Sequence, residues 1–112
     1  IFRQADIITL HVPGGEKPLI DREALKAMKE GVYIINTARA SVVDEEAVLD
    51  GLNTGRIAGY AVDAFSAEPP ADYRVIKHDR VIATPHIGGF TKESVDRVTV
   101  GAIRNIINNI KR

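Results

Sequence analysis

Arg39, Glu68 and His86 are the side chains best suited to chemistry, and they sit in three short stretches. These are Asn36-Thr37-Ala38-Arg39, Asp63-Ala64-Phe65-Ser66-Ala67-Glu68-Pro69 and Thr84-Pro85-His86-Ile87-Gly88-Gly89. Each stretch follows a short β-branched apolar run that reads as a buried strand. In a parallel sheet all three lie at the carboxyl edge, where ligands of open α/β sheets bind. One guanidinium, two carboxylates and one imidazole would then converge on one crevice. That set suits proton and hydride exchange with a small carboxylate-bearing substrate.

An arginine fork grips a carboxylate through two parallel hydrogen bonds. Arg39 also fits a plain surface arginine, and both readings stay open. Histidine titrates near neutral pH and moves protons during turnover. A neighbouring carboxylate such as Glu68 favours the imidazolium, which keeps a proton ready for a carbonyl oxygen. Gly88 and Gly89 leave room for a ligand to approach the backbone beside His86, which favours function over a structural histidine. Asp63 could accept from an amide such as a nicotinamide carboxamide, or cap its own turn; spacing favours the turn.

No metal site is expected, because His11 and His78 have no companion at a ligand spacing. Neither a nucleophile elbow nor a phosphate-binding P-loop is present. The glycines never give GxGxxG after a strand, so a dinucleotide's phosphate loop would have to precede Ile1.

The elements that would position these residues follow from the apolar pattern. The runs at 7–12, 32–36, 57–62 and 80–83 read as strands, the first buried on both faces and ended by Pro13. Asp21 caps a helix to about Glu30, with Leu25 and Met28 inward and Gly31 as its stop. Asp44 caps a second helix with Glu45 and Glu46 in its first turn, closed by Gly55. Gly59 marks a close-packing point, and residues 64–78 form a long loop of the kind that is functional or mobile. Thr91 caps a last helix to about Ile110, with Val95, Val98, Ala102, Ile103, Ile106, Ile107 and Ile110 on one face. That face either packs on the sheet or meets a partner outside the chain. The alternation predicts an α/β fold: a Rossmann-like half sheet of parallel strands, one domain over residues 1–112.

Composition narrows the class. The 112 residues are 45% hydrophobic and 27% charged, with 15 basic and 15 acidic side chains and zero net charge. Without a basic stripe, nucleic acid and anionic membrane are poor partners. The lack of cysteine excludes disulfides and fits a cytoplasmic setting. No apolar run is long enough to span a bilayer. Ile1-Phe2-Arg3-Gln4 reads as the tail of an earlier helix, so the chain is expected to be a fragment of a longer protein.

From Ala5 to the final helix, the three stretches in this order resemble the D-isomer-specific 2-hydroxyacid dehydrogenases, of the phosphoglycerate dehydrogenase and glyoxylate/hydroxypyruvate reductase type. The match is to the second half of their NAD-binding domain. The resemblance implies that Arg39 binds the substrate's carboxylate and carbonyl, that His86 is the general acid/base, and that Glu68 pairs with it. It implies that Asp63 contacts the nicotinamide carboxamide, and that Pro13, Thr37, Ala38, Gly88 and Gly89 lie along the cofactor, NAD or NADP. The implied partner is a small 2-oxo or 2-hydroxy acid. The sequence departs from the family at Ala40, where glycine is usual, and in the loop at Gly14, Gly15 and Pro18.

Two further expectations follow. The chain alone should be catalytically weak, lacking the phosphate loop and the domain that closes the cleft. The competing reading is a non-catalytic module that self-associates, as a homodimer, through an unpaired strand edge and apolar faces. A generic flavodoxin-like interaction domain is a third reading, but it leaves the coincidence of Arg39, Asp63, Glu68 and His86 unexplained.

Overall fold

The computed structural model describes residues 1–110. Four parallel strands form one sheet in the order β1-β2-β3-β4: β1 Ile7–Leu10, β2 Val32–Asn36, β3 Ile57–Val62 and β4 Val81–Ala83. Helix α1 (Arg22–Ala27) links β1 to β2, and α2 (Glu45–Thr54) links β2 to β3. Helix α3 (Lys92–Ile110) follows β4. This is the α/β arrangement expected of a half Rossmann sheet.

Local chemistry sets the ends of these elements. The Asp21 carboxylate accepts from Ala24 N at 2.7 Å, and that of Asp44 accepts from Glu46 N and Ala47 N at 3.1 and 3.2 Å. Such caps contribute about 1 kcal/mol each. Gly55 closes α2 in the left-handed region at φ 78°, which only glycine enters cheaply. Helix α1 ends at Ala27, earlier than expected, because Met28 turns extended. The Arg56 side chain holds that end, its Nε donating to Leu25 O and its Nη2 to Lys26 O, both at 2.7 Å. At the start, Gln4 N and Ala5 N both donate to Ile1 O, forming a single turn.

The core lies on one face of the sheet. Ile8, Leu10, Val32, Ile34, Tyr60 and Val62 meet Leu25 of α1, Met28 just after it, and Ala47, Val48 and Leu52 of α2. The other face corrects the expectation of a first strand buried on both sides. Ile7 is 62% exposed and Ile82 72%, and β1 alternates exposed with buried and stops at Leu10. Helix α3 does not pack on the sheet and buries none of its described residues; Val95, Val98, Ala102, Ile103, Ile106, Ile107 and Ile110 are all exposed. It projects from the sheet, so the radius of gyration is 17.4 Å, against about 13 Å for a compact domain of this size.

The pairing brings the functional ends level. Val32 faces Ile57 and Tyr33 faces Gly59, so Ala58 is an extra residue in β3. Gly59 lies against the Tyr33 ring, which leaves no room for a Cβ. Beyond this bulge Asn36 is opposite Val62, and Val62 is opposite Ala83.

Candidate active site at the carboxyl edge of the sheet

Three strand ends supply the site. Asn36 is the last residue of β2, Asp63 follows β3 and Thr84 follows β4. All strands run parallel, so all three stretches leave the same edge, as expected.

The first cluster is the turn after β2. Asn36 is fully buried, at 0% exposure. Its Oδ1 accepts from Ala38 N at 3.1 Å, and its Nδ2 donates to Arg39 O at 3.0 Å. The side chain thus folds the turn over itself. Arg39 is exposed, its Nη1 donating to Ala38 O at 2.7 Å, and no described carboxylate pairs with it. Ala40 opens a short 3₁₀ turn, and its φ is not positive, so alanine is tolerated where the family usually has glycine. Pro13, Thr37, Ala38 and Arg39 line one hollow of about 360 Å³ together with His11.

The second cluster joins β3 and β4. Asp63 is only 5% exposed. Its Oδ1 accepts from Thr84 Oγ1 at 2.5 Å and from Ile87 N at 2.9 Å, and its Oδ2 from Gly88 N at 2.8 Å. Burial pushes this carboxyl up. The hydrogen bonds from Thr84, Ile87 and Gly88, with the nearby His86, outweigh burial and hold it below the usual aspartate value. Asp63 therefore does not cap its own turn, as spacing favoured, but ties down a loop more than twenty residues on. Three of its roughly four acceptor positions are used, which leaves one on Oδ2.

His86 rides on that loop. Its φ is 54°, a left-handed conformation uncommon for a residue with a side chain. Such a backbone costs about 1–2 kcal/mol and persists where its surroundings hold it; here Ile87 N and Gly88 N are both bound by Asp63. His86 Nδ1 lies 2.7 Å from Glu68 Oε1, with both side chains about half exposed. An ionised Glu68 only accepts, so Nδ1 donates and Nε2 is left for another partner. Glu68 is steadied by Phe65 N, which donates to Oε1 at 3.3 Å. An apolar hollow of about 420 Å³ lies behind Glu68, walled by Phe65, Pro69, Pro70 and Tyr73.

One hydrogen bond joins the clusters: Asp63 N donates to Asn36 O at 3.0 Å. The glycines differ from expectation in one respect. A Cβ on Gly88 would stand 2.8 Å from Asp63 Oδ2, so its space is taken by the protein's own carboxylate. Gly89 has nothing within 4 Å of where a Cβ would be, which keeps that approach open. Sequence reasoning gave no role to Asn36 and Thr84, although a polar residue ending an apolar strand was the signal for both. Among the described residues no helix is long and apolar enough to cross a membrane, and no group of three potential ligands gathers for a metal.

The site can be compared with known proteins. Residues 1–88 match the D-isomer specific 2-hydroxyacid dehydrogenase, NAD binding domain. D-3-phosphoglycerate dehydrogenase of Bacillus subtilis is 45% identical over 96 residues, 84% of this chain and 18% of that protein. Hydroxypyruvate reductase of Thermotoga maritima is 38% identical over 115 residues, covering 98% of this chain and 38% of that protein. The crystal structure of D-lactate dehydrogenase from Aquifex aeolicus, complexed with NAD and lactic acid, superposes with a TM-score of 0.88 at 30% identity. It covers 98% of this chain and 38% of that one. The chain therefore spans less than two fifths of each of these relatives. By the match over most of its length, it belongs to the D-isomer specific 2-hydroxyacid dehydrogenase family, as part of the NAD binding domain.

Proposed function

We propose that this chain is the catalytic half of the nicotinamide domain of a longer NAD- or NADP-dependent D-2-hydroxyacid dehydrogenase, acting on a small 2-oxo or 2-hydroxy acid. The observation that carries this is the His86–Glu68 pair, at 2.7 Å, on the sheet edge that also presents Arg39. The residues fit a nicotinamide. Asp63 keeps one acceptor for a carboxamide N–H, Gly89 leaves its side open, and Pro13, Thr37 and Ala38 line a hollow at the same edge. The nicotinamide ring would supply the hydride.

Arg39 grips the substrate carboxylate with its fork and so fixes the carbonyl in a near-attack geometry. His86, donating to Glu68 through Nδ1, presents Nε2 to the carbonyl oxygen. In reduction Nε2 gives up its proton as the oxygen gains charge; in oxidation it takes the hydroxyl proton. Glu68 steadies the charged imidazole and fixes its orientation. Asp63 holds the loop that carries His86, and Gly88 lets that carboxylate approach the backbone.

The chain alone would be weak or inactive, since it offers no glycine loop to cradle a pyrophosphate. We place the protein in the cytoplasm, in keeping with its lack of cysteine. A second copy is the further partner we assign, because one sheet face and all of α3 are uncovered. Titrating NADH into the chain, followed by thermal shift and nicotinamide fluorescence, tests the pocket. A saturable shift supports the reading. No shift, with size rising with concentration, favours the self-associating module.

A further inference from the structure

We propose that the side chain of Asn36 positions Arg39 for the substrate carboxylate, on a turn that the sheet ladder ties to the loop of His86, an inference that rests on the dehydrogenase reading above. Asn36 is fully buried at the end of β2, and both its Oδ1 and its Nδ2 hydrogen-bond the turn that carries Arg39. Its Oδ1 holds Ala38 N and its Nδ2 holds Arg39 O. Arg39 O also accepts from Val42 N at 3.2 Å, so the peptide that follows Arg39 is gripped from two sides. The main-chain carbonyl of the same asparagine accepts from Asp63 N. Asp63 in turn binds Ile87 N and Gly88 N, the two amides that follow His86.

A continuous chain of hydrogen bonds thus runs from the anion-gripping turn to the proton-transfer loop through Asn36 and Asp63. Tyr60, on the same face of the neighbouring strand, has its phenol pushed up to about 12 by burial, offset in part by the Asn36 amide. No other side chain of this size meets the demand. Aspartate keeps the acceptor for Ala38 N but turns a second acceptor toward Arg39 O. Leucine matches the shape and leaves Ala38 N buried without a partner.

The test is Asn36→Asp in the longer enzyme, with Asn36→Leu beside it. The readouts are steady-state kinetics with a 2-oxo acid, inhibition by oxamate, and NADH affinity by fluorescence. Expected for Asn36→Asp is a KM for the oxo acid, and a Ki for oxamate, raised at least tenfold, with NADH affinity changed less than twofold. The ratio of variant to wild-type KM should fall as pH is lowered, because protonated aspartate regains a donor for Arg39 O. A residue that only supports folding would lower the melting temperature and the active fraction and leave KM unchanged. Should Asn36→Leu fail to fold, Asn36→Asp still decides. A folded Asn36→Asp with KM within twofold of wild type overturns the inference, as does equal weakening of NADH and oxo acid. If the wild type neither oxidises NADH with any 2-oxo acid nor binds oxamate, the dehydrogenase reading falls and this inference with it.

Discussion

The Oδ2 of Asp63 stands 2.8 Å from Gly88 N and only 2.8 Å from where a Cβ on Gly88 would be. A strand-end carboxylate and a loop glycine are therefore matched in shape as well as in hydrogen bonding. Gly88→Ala forces either Asp63 or the loop to move, and His86 lies on that loop. The expected outcome is a loss of turnover of about tenfold or more, equivalent to one hydrogen bond to a charged group. Equal kinetics for Gly88→Ala and wild type would remove this pairing from the account.

His86 needs a substitute that tolerates its left-handed backbone, φ 54°. Asparagine does so better than alanine. His86→Asn should lower kcat by about 10²–10⁴-fold, the usual contribution of a general acid or base, while NADH affinity stays within a few-fold. Glu68→Gln keeps an acceptor for Nδ1 but removes the charge, and should cost about tenfold in kcat. Isothermal binding and steady-state rates on the same preparations separate the two effects.

Arg39→Lys replaces a fork with a point charge. The KM for the oxo acid should rise and kcat should fall, since lysine cannot hold the carboxylate in two places at once. Unchanged kinetics would exclude Arg39 from substrate binding.

Asp63 ties its hydrogen bonds to acid stability. Its carboxyl is held below the ordinary value of 3.8 in the folded chain. As pH falls, the unfolded chain takes up this proton first. The stabilisation is complete above the ordinary aspartate value and is lost as pH drops through the lowered native one. Asp63→Asn should therefore flatten the acid limb of a melting-temperature profile. A limb of unchanged steepness would contradict the assignment.

Exposed apolar residues on α3 give a prediction for solution size. Ile106→Lys with Val98→Lys should shift the chain toward monomer in analytical ultracentrifugation at micromolar concentration. An identical distribution for wild type and variant would exclude α3 as the contact.

Much of the fold was legible because its signals are local. Asp21, Asp44 and Thr91 cap helices, and Gly55 ends one, through bonds to residues a few positions away. The runs at 32–36 and 57–62 became strands at those bounds because β-branched residues meet turn chemistry at both ends. What was not legible depends on distant partners. Helix α1 stops at Ala27 because Arg56, about thirty residues later, binds its last carbonyls. Asp63 looked like a turn residue because nothing near it in sequence shows that Thr84, Ile87 and Gly88 will return to it. The resemblance pointed to Arg39, Glu68 and His86, but only the folded chain shows Asn36 and Asp63 linked between them.

The most direct test is NADH oxidation by the longer protein with pyruvate, glyoxylate and hydroxypyruvate, with the configuration of any lactate determined by chiral chromatography. The account requires saturable oxidation with at least one of these acids, D-configured product where the product is chiral, and loss of the activity in His86→Asn. Absence of turnover with every 2-oxo acid, an L-configured product, or full activity in His86→Asn would contradict it.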